Sequence, residues 1–98
     1  MRKLSEFLDE ELGPATLGDF LAGTRLLEQA TQESFAKKLG ISRARLCDIE
    51  KGRRTVSVDM AVKFAKALRM PAESLVALVL QETVDKAKVK FRVVVKAA

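Results

Sequence analysis

Apolar positions recur along this chain at spacings of three and four residues, broken by capping and turn residues at regular intervals. Leu4, Phe7, Leu8 and Leu12 predict a short helix over residues 3–12, ended by Gly13-Pro14. Thr16 is placed to cap a second helix, with Asp19 completing a capping box. Leu17, Phe20, Leu21, Thr24 and Leu27 form the inward stripe of that helix, read over 17–29. Thr31 caps a third helix, Gln32 to Leu39, with Phe35, Ala36 and Leu39 inward and Gly40 in the left-handed stop position. Ser42 opens a fourth, Arg43 to Lys51, carried by Leu46 and Ile49 and stopped by Gly52. Ser57 opens a fifth, Val58 to Leu68, with Ala61, Val62, Ala65 and Leu68 inward. Pro71, at a first helical position, starts a sixth running to about Val84.

The period then changes. Over residues 88–96, Val89, Phe91, Val93 and Val95 alternate with mostly basic residues, which is a strand pattern. No second strand is legible in the chain, and a lone strand cannot satisfy its own backbone. The expected partner is a second copy, paired antiparallel about a two-fold axis.

Composition narrows the chemistry. Nearly half of the 98 residues are apolar (48%), enough for one domain with its own core. There is no His, no Trp, no Tyr and one Cys. Without His, no Ser-His-Asp or Cys-His nucleophile can be assembled. One Cys makes no internal disulfide and no Cys-rich zinc site. The expectation is a protein that is not an enzyme, with no catalytic residues, no metal and no cofactor. A single unpaired thiol fits the cytoplasm. The longest apolar run, Leu75 to Leu80, is too short for a membrane span, and the basic start lacks the apolar stretch of a signal peptide.

The net charge of +5 is unevenly spread: residues 1–33 carry −4, residues 34–69 carry +7, and residues 70–98 carry +2. A basic middle third is either the footprint of a polyanion site or a solvated face. The segment Thr31 to Arg53 decides between them. Two short helices are joined by the tight turn Leu39-Gly40-Ile41-Ser42. Small Ala36 lets them approach, and Ile41, Leu46 and Ile49 lock the second onto the first. That is a helix-turn-helix, which offers the front of its second helix to the DNA major groove.

The wording of the segment resembles the Cro/C1-type (XRE-family) helix-turn-helix regulators over roughly residues 17–80. It rests on Thr31-Gln32-Glu33, on Ala36-Lys37-Lys38-Leu39-Gly40-Ile41-Ser42, and on Ile49-Glu50-Lys51-Gly52-Arg53, followed by Ala65-Lys66-Ala67-Leu68 and Leu75. The resemblance implies an all-α, five-helix, lambda-repressor-like bundle, here with an extra N-terminal helix and a C-terminal β-strand. The chain divides accordingly into an accessory helix (1–14), a DNA-binding domain (15–86) and a dimerisation strand (87–98). The resemblance also implies a structural ion pair between Arg25 and Glu50, so that Glu50 braces the fold rather than touching DNA. The chain departs from the family at Thr24 and Ala30, where larger aliphatics are usual; Leu26 and Leu27 are expected to repack that region.

Site roles follow by position. Arg43 can grip guanine O6 and N7 through two hydrogen bonds, and Ala44 offers a methyl-sized contact to thymine. Cys47 and Asp48 lie one turn further along. Cys47 reads as a small neutral filler rather than a redox sensor, which would need a depressed pKa. Asp48 either accepts from cytosine N4 or holds Arg45; repulsion from phosphates favours the second. Gln32, Arg45, Lys51, Arg53 and Arg54 are the expected phosphate contacts. Lys37 and Lys38 serve equally as outer contacts or as a solvated face. Val89, Phe91, Val93 and Val95 are the expected dimerisation residues.

The function expected is a sequence-specific transcriptional regulator, a repressor on a palindromic operator read by a homodimer. One alternative is an antitoxin that neutralises a toxin and autoregulates its operon. The acidic helix 3–12 would then be the toxin-facing surface, although a helix that caps the core explains it more simply. A second alternative is a helical interaction adaptor that binds no DNA.

Overall fold

Side-chain caps set where the helices begin. The computed structural model describes residues 16–98, so the helix expected over 3–12 lies outside the described residues. Helix α1 is Leu17–Leu27, opened by Thr16 and Asp19 in a reciprocal capping box. Helices α2 (Gln32–Leu39), α3 (Arg43–Glu50) and α4 (Val58–Leu68) begin after Thr31, Ser42 and Ser57, whose hydroxyls accept from the backbone amides of Ser34, Arg45 and Met60. Helix α5, Ala72–Lys86, follows Pro71, whose φ of −61° suits the cap position without a side-chain bond. Pro71 is thus the cap and not the first helical residue, and α5 runs two residues past the expected end.

Four of the five described helices end on one device. Gln29, Gly40, Gly52 and Arg69 all adopt positive φ, between 55° and 78°. Behind each, the next amide reaches back five residues: Ala30 to Arg25, Ile41 to Ala36, Arg53 to Asp48 and Met70 to Ala65, at 2.8–3.0 Å. This is the Schellman closure. Two of the four stops are glycines and were legible as such. Gln29 and Arg69 carry no such mark, and the early stop at Gln29 shortens α1 to Leu27.

That shortening corrects two expectations. Leu27 is 88% exposed, so it does not belong to the inward stripe of α1, and with Leu26 66% exposed neither repacks the region around Thr24. The space is served instead by Thr24, whose hydroxyl donates to the Phe20 carbonyl at 2.9 Å, and by Ala30, which packs against the core. On α4, Val62 is only half-buried, while Phe64 is 1% exposed and belongs to the core. Val56, in the loop after α3, is buried too.

The core joins all five helices. Leu17 and Leu21 of α1, Phe35 and Leu39 of α2, Leu46 and Ile49 of α3, Phe64 of α4 and Leu75 of α5 are its main occupants. Each such side chain contributes about 1.5–3 kcal/mol of burial. Helix α3 packs against α1 and α2, and α4 against α2 and α5. One glycine is required by a close approach: a Cβ on Gly18 of α1 would run into the Ile49 carbonyl oxygen of α3 and lie 3.4 Å from the Glu50 Cα. Gly18 therefore sets how closely α1 rides over the end of α3.

Beyond α5 the described chain forms no strand. Among the described residues no backbone segment builds a ladder with residues 89–98, so the strand expected over 88–96 is not formed there.

Candidate nucleic-acid interface

Helix α3 is anchored on one side and offered on the other. Leu46 and Ile49, at 0% and 2% exposure, fix its inner face. Its first two residues, Arg43 and Ala44, are exposed, and Cys47 and Asp48 are half-buried one turn later. The spacing i, i+1, i+4, i+5 puts all four on one face. Ser42 caps the helix and the tight turn from α2 sets its angle, so Arg43 projects from a rigid support.

A hydrogen-bonded brace stiffens the frame behind that face. Arg25 of α1 donates to Glu50 of α3 through Nε at 2.9 Å and Nη2 at 3.1 Å. Its Nη1 donates to the Ala30 carbonyl at 3.2 Å. Gln32 of α2 adds an amide donor to Glu50 Oε1 at 3.2 Å. The Glu50 side chain is 6% exposed and that of Arg25 17%, so the pair is largely out of water. The hydrogen bond to Glu50 raises the Arg25 pKa above its ordinary value, against the opposing effect of burial. One carboxylate thus ties three helices together.

The brace changes the reading of Gln32. One of its two amide hydrogens is committed to Glu50. The other, and its backbone amide at the first position of α2, stay available to an anionic oxygen. Asp48 changes more. It does not hold Arg45: the turn after α3 brings Arg53 to it, with the guanidinium 3.3 Å from Asp48 Oδ1 and the Arg53 amide on the Asp48 carbonyl at 2.8 Å. Arg45 turns back across α4, its Nη2 lying 3.3 Å from the Met60 sulfur, while its buried Nε has no partner among the described residues. The expected Asp48–Arg45 pair is replaced by two others: Arg45 reaches Met60, and Arg53 takes Asp48.

Lys51, Arg53 and Arg54 are exposed around the Gly52 turn, forming a basic cluster at the end of α3. Lys37 is exposed, while Lys38 reaches Glu28 at 3.3 Å across the α1–α2 corner. No cluster of three His, Cys, Asp or Glu among the described residues is arranged to hold a metal, and none of their helices is long and apolar enough to cross a membrane.

Two residues that matter escaped the sequence. Gly18 looks like any helical glycine until α3 is seen beneath it. Gln81 of α5 uses its whole side-chain amide: Nε2 donates to Asp85 at 2.9 Å and to the Phe91 carbonyl at 2.8 Å, and Oε1 accepts from the Val93 amide at 2.8 Å. The Asp85 spacing of four hinted at the first contact; nothing along the chain pointed to the other two.

Comparison with known proteins agrees with this geometry. A family model described as helix-turn-helix matches residues 24–75. The chain belongs to that Cro/C1-type (XRE-family) helix-turn-helix family of DNA-binding regulators. It is 43% identical over 51 residues to an uncharacterised HTH-type transcriptional regulator of Methanocaldococcus jannaschii, a match spanning 52% of this chain and 77% of the relative. Its fold is like that of a proposed antidote protein of a plasmid maintenance system from Nostoc punctiforme, with a TM-score of 0.65 at 24% identity, covering 76% of this chain and 87% of that one.

Proposed function

We propose that this protein is a homodimeric repressor that binds a palindromic operator and blocks transcription by occupying the promoter. The observation that carries the reading is Arg43 and Ala44, exposed at the front of a helix whose other face is locked into the core. In this reading Arg43 grips guanine, Ala44 meets a thymine methyl, and Cys47 fills space without charge. Asp48 acts through Arg53, orienting a phosphate clamp, so its carboxylate is neutralised next to DNA. Gln32, Lys51 and Arg54 are further phosphate contacts, with Arg45 at the margin. Residues 15–86 form the reading head and 87–98 join two copies, so that half-sites fall about one helical turn, roughly 34 Å, apart. The protein works in the cytoplasm.

A mobility shift against DNA from its own upstream region tests this. A retarded band is expected whose affinity falls with salt at a log–log slope near −0.9 per neutralised phosphate. Folded protein that gives no band at low salt contradicts the reading.

A second reading, that the protein is also an antitoxin, draws on the fold shared with the proposed antidote protein and on the exposed pair Leu26 and Leu27, which stands outside the DNA face. An adjacent small reading frame whose product co-purifies with this chain would support it. Leu26→Ser/Leu27→Ser should then release that product and leave DNA binding intact.

A further inference from the structure

The tail after α5 is held along one edge. Phe91 and Val93 are two residues apart, and in an extended chain their carbonyl and amide groups point to the same side. That side is the one taken by Gln81, through the Phe91 carbonyl and the Val93 amide. Asp85 fixes which way the Gln81 amide is turned, because only its nitrogen can donate to that carboxylate. The backbone groups of Lys90, Arg92 and Val94 therefore point away from α5, along an edge that pairs with nothing among the described residues. Side chains on this stretch are exposed as well: Phe91 is 68% and Val94 71% exposed, while Val93 and Val95 are half-buried. A segment clamped on one side, with the other edge open and an aromatic overhanging it, is prepared to become a strand on pairing with another.

We propose that a second copy pairs antiparallel along the Lys90, Arg92 and Val94 edge, with Val93 on the two-fold axis. The proposal rests on the homodimer put forward above and assigns its register, with Gln81 as the residue that positions the strand. The register follows from side-chain opposition together with cover for Phe91: centring on Phe91 would set Lys90 against Arg92, and centring on Val95 would carry Phe91 past the valines of the second copy and leave it uncovered. Centring on Arg92 would set two arginines face to face, and centring on Val94 would set Arg92 against Lys96 on both sides. Like charges directly opposite are unfavourable. Centring on Val93 puts Phe91 opposite Val95 of the second copy, Arg92 opposite Val94, and leaves only Lys90 and Lys96 opposed, at the ends. It also covers the exposed Phe91.

Single cysteines in a full-length Cys47→Ser background read the register. On the axis, Val93 faces its own copy as a non-hydrogen-bonded pair, with Cα atoms about 4.5 Å apart, within disulfide range. Val93→Cys should cross-link to a covalent dimer under mild oxidation. Arg92→Cys and Val94→Cys should each stay uncross-linked alone but cross-link when mixed. Cross-linking of Arg92→Cys or Val94→Cys alone, in a chain that sediments as a dimer, overturns the register while leaving the homodimer standing. A chain that sediments as a monomer at tens of micromolar overturns both. Gln81→Glu, which replaces the donor to Phe91 and sets a second carboxylate beside Asp85, should weaken dimerisation about tenfold with the helical circular dichroism unchanged. An unchanged dimerisation constant overturns the role of Gln81.

Discussion

The reading head and the tail are built on opposite principles. Around α3 every support comes from the same chain: a buried Leu46 and Ile49, a glycine-sized approach from α1, and a carboxylate that three helices share. Among the described residues the tail is hydrogen-bonded by one side chain, Gln81, and it leaves Phe91 and Val94 largely in water. A surface that must hold one arginine at a set angle to a DNA groove needs internal support. A surface meant for another molecule needs the reverse, an edge left open.

Substitutions should separate the two regions, and the largest effect belongs to the head. Gly18→Ala pushes α1 off the Ile49 carbonyl and should cost about 3 kcal/mol, at the upper end of overpacking penalties, read as a lower denaturation midpoint in urea. A near-neutral result would mean that α1 and α3 slide freely. Glu50→Ala leaves Arg25 without its main partner and should cost about 2–3 kcal/mol, less than a wholly buried pair because Arg25 retains some exposure. DNA affinity should fall with it, since the frame behind Arg43 loosens. Removing the tail after Ala87 should instead cost about 1–2 kcal/mol in monomer stability, the net worth of the two partly exposed hydrogen bonds lost, yet abolish the dimer in sedimentation. An unfolded product would show that the tail belongs to the core.

The smallest effect concerns Glu82 of α5. Its pKa is raised, first by burial and then by Asp19 and Asp85, with the Leu17 amide and Lys86 opposing. A carboxyl whose folded pKa is raised favours the fold at acid pH, where it is protonated, and loses that contribution as pH rises through the folded value. Glu82→Gln should therefore raise Tm slightly at pH 7, and that gain should vanish below about pH 4, where the unfolded carboxyl also holds its proton. An equal gain at both pH values would point to packing.

The same contrast explains what the sequence disclosed. Helix starts were legible because Thr16, Thr31, Ser42 and Ser57 cap by local chemistry, within three residues. The helix-turn-helix was legible because its glycine stop and its buried positions are also local. Gln29 and Arg69 were not, since neither residue type favours the left-handed conformation it adopts. Nor could spacing separate the partners of Asp48: Arg45 lies three residues before it and Arg53 five after, and only the Gly52 turn brings the second within reach. The contacts of Gln81 with residues 91 and 93 need the chain to reverse, which no periodicity encodes.

The most direct test of the account is a base-substitution scan across the bound upstream DNA, with wild-type protein and Arg43→Ala compared at one salt concentration. Wild type should discriminate at one guanine in each of two symmetric half-sites. Arg43→Ala should lose about 1–3 kcal/mol of affinity at that position and with it the preference for guanine. An equal loss on every sequence, with the preference kept, would contradict the assignment of α3 as the helix that reads the DNA through Arg43.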